Sequence, residues 1–248
     1  MINSPLQDWR PFYEKEAKRY DHSRYGGCYG RLFRKLHHET LVYLVRPHAF
    51  GRTLDVAAGT GHVTFLLASM GFDVTALDLT EAMIRLAQKK LHEQNLHANY
   101  SIGSVLELPF SDESFNLVVS TRFLHLWPYE QQKIVLSEMT RVLVTGGMLI
   151  VDFDNWWHKS LLSLPIFIYQ KLTGKGRKVG EYYNRFRQTI LMLESLGIRI
   201  NDIHGVGGYH LFLPAIFSQA LARTLGRING STSLRVISEQ FILKGQKR

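Results

Sequence analysis

Leu54-Asp55-Val56-Ala57-Ala58-Gly59-Thr60-Gly61-His62-Val63-Thr64 is the stretch whose residue types could do chemistry. A short apolar and β-branched run enters a turn of small residues, and a helical pattern leaves it. From Ala57 to Gly61 nothing is larger than Thr60. A ligand can therefore lie directly on the backbone, with the first N–H groups of the next helix aimed at it. Asp78 closes the following apolar run, 17 residues beyond Gly61. A carboxylate there can accept two hydrogen bonds from a ribose diol, which suits an adenosine-bearing ligand. Gly103-Ser104 closes the third run, beside where an adenine would lie in a doubly wound sheet. Two other ligands are disfavoured. The third glycine of a dinucleotide fingerprint would fall on Thr64, and no Gly-Lys-Ser/Thr follows the turn as in a Walker loop. Taken alone, Asp78 also reads as a helix cap; the order and spacing of the three features carry the argument.

These residues need a sheet to hold them, and the chain alternates accordingly. Strands are predicted over 52–56, 72–77, 99–102, 115–120 and 148–153, and helices over 62–70, 81–95 and 129–143. Thr80 is placed to cap the second helix, whose apolar side is Ala82, Ile84, Leu86, Ala87 and Leu91. Strands separated by helical patterns of ~10–15 residues imply βαβ units and a parallel sheet. Ahead of them, Trp9, Phe12, Tyr13, Ala17 and Tyr20 form one helical pattern. Tyr29, Leu32, Phe33, Leu36, Leu41 and Leu44 form another, with a break at Gly26-Gly27. Beyond Asp154 the alternation loosens. An aromatic and apolar stretch runs into the basic run Lys171–Lys178. A helix over 181–196, a strand over 198–204, a glycine-rich loop over 205–213, a helix over 215–226 and a last strand over 235–244 complete the reading.

At 248 residues the chain fits one large α/β domain, and 45% hydrophobic with 21% charged residues is an ordinary globular balance. A net charge of +9 points to nucleic acid, a membrane surface or an acidic substrate, or to no more than a basic soluble enzyme. A single cysteine, Cys28, excludes an intramolecular disulfide and argues against a cysteine-built zinc site; no metal is expected. No basic start followed by an apolar run reads as a secretory signal, and no stretch reaches ~18 uninterrupted apolar residues. The expected compartment is the cytoplasm.

Over residues 50–153 the chain resembles the class I S-adenosylmethionine-dependent methyltransferases. Leu54–Gly61 resembles their glycine-rich first motif and Val74–Asp78 their acidic second motif. Leu108-Pro109-Phe110-Ser111-Asp112-Glu113-Ser114-Phe115 resembles the stretch before the fourth strand of small-molecule members. Arg141-Val142-Leu143 with Gly146-Gly147 resembles the turn before the fifth. Within the family, the resemblance is to the methyltransferases of ubiquinone and menaquinone biosynthesis. It implies an α/β fold, a doubly wound Rossmann-like seven-stranded sheet, built as a single domain over 1–248. That domain comprises an N-terminal helical cap (1–46), a cofactor-binding core (47–155), lid or substrate-side helices inserted after the fifth strand (156–197), and C-terminal strands and loop (198–248). The implied cofactor is S-adenosyl-L-methionine, with S-adenosyl-L-homocysteine as product.

The resemblance also implies roles residue by residue. Asp55 would orient the glycine loop and face the methionine amino group. Gly59 and Gly61 would lie against the methionine part, with Ala57 in place of the commonest glycine. Asp78 would clamp the ribose, next to Leu79, and Met83 would pack near the adenine. Gly103, Ser104 and Val105 would border that base, with Thr121 after the fourth strand; Tyr20, Asp21 and Arg24 resemble the segment that closes over the cofactor, Tyr20 being readable equally as a packed aromatic. Ser104 stands where the family usually has Asp, and a neutral acceptor is the weaker one.

The acceptor side is less legible. Methyl transfer needs in-line approach in a dry pocket, so positioning can supply much of the catalysis and a base is optional. His125 is the candidate base, since its ordinary pKa lies near neutrality; the alternative is that it only caps or packs. Arg24, Arg122, Trp156, Tyr209 and His210 are candidates for the substrate side, the last two readable equally as plain loop residues. Residues 156–178 read as a lid over the substrate, or as an interfacial helix giving peripheral membrane contact; Pro165 argues against one straight helix. The leading function is methyl transfer to a small hydrophobic or aromatic acceptor. One alternative is a nucleic-acid methyltransferase, prompted by the +9 charge but lacking an Asn-Pro-Pro-Tyr-type motif after the fourth strand. The other is a non-catalytic binding protein, against which Asp55, Gly59, Gly61 and Asp78 stand.

Overall fold

A computed structural model describes residues 5–46, 51–158, 182–208 and 211–248. Two helices come first, α1 (Pro5–Tyr25) and α2 (Cys28–Val45), parted at the predicted glycine pair. A Cβ on Gly26 would lie 2.5 Å from the His22 carbonyl oxygen, so the break needs glycine there. The alternation follows as β1 (Arg52–Val56), α3 (His62–Ser69), β2 (Asp73–Asp78), α4 (Glu81–His92), β3 (Asn99–Ile102) and β4 (Phe115–Ser120). After a 3-10 turn at Leu124–Leu126 come α5 (Tyr129–Val142) and β5 (Leu143–Asp154). The described chain closes with α6 (Phe186–Ser195), β6 (Ile198–Val206), α7 (Phe212–Phe217), α8 (Gln219–Ser231), a 3-10 turn at Ser233–Ile237 and β7 (Gln240–Lys247).

The seven strands form one sheet in the order β3-β2-β1-β4-β5-β7-β6. The first five are parallel, and β7 runs antiparallel to both of its neighbours. From β1 the chain winds outward through β2 to β3, then returns to β4 on the other side of β1. This reversal opens a crevice at the carboxyl ends of the strands. Successive strand residues feed opposite faces. Leu54, Val56, Val118, Leu149, Val151, Phe241 and Leu243 join α5 and α6 in one core. Leu117, Val119, Met148, Ile150 and Ile242 join α2 and α3 in the other. Burial on both faces is why β4 and β5 read as nearly unbroken apolar runs.

Several boundaries differ from the sequence reading. Thr80 occupies the N-cap position of α4, but its hydroxyl makes no capping bond; its backbone N–H instead donates to Asp78 Oδ1 at 2.9 Å. β5 starts at Leu143 rather than 148, because the Val144–Gly147 turn is absorbed as a register jump opposite Asn116. β6 extends through Gly205 and Val206, and the single helix expected over 215–226 is two helices parted at Ser218, whose hydroxyl accepts from Leu221 N. Arg235 and Ile237 mimic a strand period but lie in the 3-10 turn, and Arg235 donates to the Ile203 carbonyl at 3.0 Å. Residues 182–185 stay outside α6, because Asn184 bridges to Asn155. Most of the proposed lid, 159–181, and both Tyr209 and His210 lie outside the described residues. No helix among the described residues is long and apolar enough to cross a membrane.

Helix α8 packs by its small side. Ala222, Gly226 and Gly230 are buried, while Leu221, Leu225 and Ile228 face solvent. A Cβ on Gly230 would sit 2.3 Å from the Gly205 oxygen in β6. Gly230→Ala is therefore expected to cost ~2 kcal/mol, the usual scale of overpacking, read as a lower urea midpoint at unchanged slope.

Candidate active site

One cavity opens at the carboxyl ends of β1, β2 and β4 and is roofed by α1 and α2. Its floor is the glycine turn. Ala57, Gly59 and Gly61 all have positive φ (59°, 53° and 75°), so the turn is a run of left-handed residues of which one is not glycine. A Cβ on Gly59 would meet nothing within 4 Å, so the backbone there is bare toward the cavity. The turn is pinned from the neighbouring strand: Ala58 N donates to Leu77 O at 3.0 Å, and Gly59 N to Asp78 Oδ2 at 2.8 Å. The Asp78 carboxylate thus ties the turn to the start of α4 and keeps further lone pairs for a ligand. Burial raises its pKa, against the bonds from Thr80 and Gly59. Asp55 is 2% exposed, and its Oδ2 accepts from the Thr64 hydroxyl at 2.6 Å. Burial, opposed by that bond, lifts its pKa to about 7.

Of the cofactor-side residues read from sequence, Asp55, Ala57, Gly59, Asp78 and Leu79 line the cavity. So do Tyr20, Met83, Val105 and Thr121, and Arg122 from the substrate side. Gly61, Gly103 and Ser104 are not brought to it. A Cβ on Gly61 would lie 2.6 Å from Ala87 Cβ, so this glycine serves the packing of α3 on α4. Gly103 is held between Pro109 and Leu77, and Ser104 turns its hydroxyl to accept Leu106 N at 3.2 Å. Arg24 stacks over Tyr20 at 5.5 Å, and Trp156 lies under Arg185 at 4.7 Å; neither lines the cavity. His125 faces away as well. It sits buried in the 3-10 turn, its carbonyl accepting Tyr182 N at 2.7 Å and its Nδ1 without a partner among the described residues.

Three sets of contacts were not foreseen, the first at Asp21, which the sequence placed with Tyr20 only as closing over the cofactor. Asp21 of α1 ties the roof to the glycine turn and α4, accepting from the Thr60 hydroxyl at 2.6 Å, from His62 at 2.9 Å and from Lys90 at 3.1 Å. Lys90 also donates to the Thr60 carbonyl at 2.7 Å. Burial alone would raise the Asp21 pKa, but the bonds from His62 and Thr60 and the nearby cations hold it well below the usual carboxylate range. The second is at His37, which lines the cavity from α2, with Nε2 3.3 Å from Asp152 Oδ2. The third, Asp152, also accepts Arg122 N at 2.8 Å. The clue to His37 was its position four residues from both Phe33 and Leu41, on the buried stripe of α2. Next to it, His38 is kept neutral, its pKa lowered to about 3 by burial and by neighbouring cations. Asp21→Ala should leave the body folded and free α1, seen as ~10-fold faster tryptic cleavage within 10–24 at unchanged global melting.

The rest of the wall carries Tyr13, Tyr25, Phe33, Phe123 and Trp127 beside Tyr20, with the cations Arg10 and Arg34 among them. Burial pushes the Tyr25 hydroxyl up to about 12, so it stays a neutral donor.

Residues 53–147 match the methyltransferase-domain family. The demethylmenaquinone methyltransferase of Renibacterium salmoninarum is 37% identical over 100 residues, 40% of each chain. An uncharacterized methyltransferase of Staphylococcus carnosus is 32% identical over 104 residues, 42% of this chain and 48% of that one. The chain thus spans less than half the length of these curated relatives. Among solved structures, magnesium protoporphyrin IX methyltransferase from Synechocystis, with bound S-adenosylhomocysteine, superposes at a TM-score of 0.69. It shares 16% identity, covering 98% of this chain and 100% of that one. A putative methyltransferase from Bacillus halodurans gives 0.61 at 22% identity, with 84% and 99% covered. Sheet order and glycine turn agree with the match of residues 53–147 to the methyltransferase-domain family, a class that uses S-adenosylmethionine. The residues present fit that class's cofactor: a bare backbone at Gly59, a carboxylate at the end of β2 and a buried acid under the turn.

Proposed function

We propose that the protein transfers the methyl group of S-adenosylmethionine to a small hydrophobic or aromatic acceptor. The observation that carries this is one cavity with a polar end at Asp55, Gly59 and Asp78 and an aromatic end under α1 and α2. S-adenosylmethionine, when bound, supplies an electrophilic methyl group on a sulfonium. Asp78 would hold the ribose, and Asp55 the methionine amino group. The aromatic walls would exclude water and align the acceptor, which is where much of the rate acceleration of such a transfer can arise. With His125 turned away from the cavity, no base is assigned to it, and an acceptor that arrives ionised needs none. The names of two relatives, a demethylmenaquinone and a magnesium protoporphyrin IX methyltransferase, speak for small-molecule acceptors. Peripheral membrane contact through 156–178 rests on composition alone.

The test is calorimetric titration with S-adenosylmethionine and S-adenosylhomocysteine, followed by transfer of labelled methyl to phenols, quinols, aromatic acids and lipids, with RNA and DNA alongside. Micromolar cofactor binding and label in an organic product are expected. Label only in nucleic acid, or no binding of either ligand, overturns the reading.

A further inference from the structure

At the acceptor end of the cavity, which Arg10 and Arg34 also line, Arg122 makes no ion pair among the described residues. Arg122 follows β4 with a φ of 59°, a strained value for a side-chain-bearing residue. That conformation is held by its own N–H, which donates to the buried Asp152 carboxylate at 2.8 Å. The guanidinium lies 5.1 Å over the Phe33 ring, and the group lines the cavity. Its Nε is fully buried without a hydrogen-bond partner, and among the described residues the guanidinium makes no ion pair.

Three carboxylates lie in the neighbourhood, and each accepts its hydrogen bonds from other groups; Asp154 and Glu239 act on the guanidinium only at a distance. Asp152 serves the Arg122 backbone and His37. Asp154 accepts Gln240 Nε2 at 2.5 Å, and Glu239 accepts the Tyr29 hydroxyl at 2.5 Å. A desolvated guanidinium with an unsatisfied donor is costly, and a planar anion satisfies it with paired N–H···O bonds. Phe33, Tyr25 and Trp127 beside it would take a flat apolar body.

We propose that Arg122 is the anchor for a carboxylate on the acceptor, so that the substrates of this site are aromatic or hydrophobic acids. The inference rests on the methyltransferase reading only in naming the ligand an acceptor. Arg122 is the charge that selects the acid, and Asp152 is a positioning residue that fixes the strained turn presenting it.

The experiment titrates the protein, saturated with S-adenosylhomocysteine, with 2-naphthoate and with its neutral twin 2-naphthamide. Wild type should bind the acid ~10-fold or more tightly than the amide, the scale of a charge-assisted pair. Arg122→Gln should lose that preference while binding S-adenosylhomocysteine as before, and Arg122→Lys should keep part of it. Gln and Lys bear the same φ cost as Arg, so the backbone turn is not the variable. Equal binding of acid and amide by wild type overturns the proposal without needing any variant. So does a preference retained in Arg122→Gln, or no binding of the acid while S-adenosylhomocysteine binds. Failure of wild type to bind S-adenosylhomocysteine strikes the methyltransferase reading instead, and the acid–amide comparison is then made on the free protein.

Discussion

Alanine in place of Asp78 is expected to weaken S-adenosylhomocysteine binding about a hundredfold. Two things go together. The ribose loses both acceptors, and hydrogen bonds to a charged group contribute roughly 1.5–3 kcal/mol. The glycine turn loses the bond from Gly59 N, which fixes the bare backbone at the cavity floor. About 2.7 kcal/mol corresponds to a hundredfold in affinity. Asp78→Asn, which keeps one acceptor, should fall between. Calorimetry decides it: a loss under about threefold in a folded Asp78→Ala protein would separate Asp78 from the cofactor.

The second large effect is on pH. The Asp55 carboxyl, raised to about 7 by burial, holds its proton in the folded protein where the unfolded chain has already lost it. Folding stability from this group therefore declines as pH rises from its ordinary range toward about 7, and is level above. Asp78, its charged neighbour, adds to the rise. A ligand ammonium placed against Asp55 favours the ionised form, so binding expels a proton. Affinity for S-adenosylhomocysteine should be ~10-fold weaker at pH 6 than at pH 8, following one titrating group. Asp55→Asn keeps an acceptor for the Thr64 hydroxyl and should bind weakly with a flat profile. A sloping profile in that variant would assign the proton to another group.

The parts of this site that were legible are local in sequence. Strand, small-residue turn and helix lie within one stretch, and Asp78 is found by counting to the end of the next strand. Contacts between elements far apart in the chain left no such trace. His37 and Asp152 are separated by 115 positions, and Asp21 meets Lys90 across 69. His125 shows the converse: its place after β4 suggested the site, but a 3-10 turn carries the ring into the interior. In the C-terminal part the usual rule inverts. The large apolar residues of α8 face outward and its glycines inward, because close backbone approach to β6 sets that packing.

The roof over the cavity is fastened differently from the body beneath it. Among the described side chains of α1, Ala17 alone is buried, and the polar ties of the helix to the glycine turn and α4 run through Asp21. Lifting it bares the cavity-facing rings of Tyr13, Tyr20 and Tyr25 but leaves the two cores intact, so that step carries a smaller heat-capacity change than melting of the cores. Its ties are charged and partly exposed, and ions screen them. Access to the cofactor is therefore set in part by the salt in the medium.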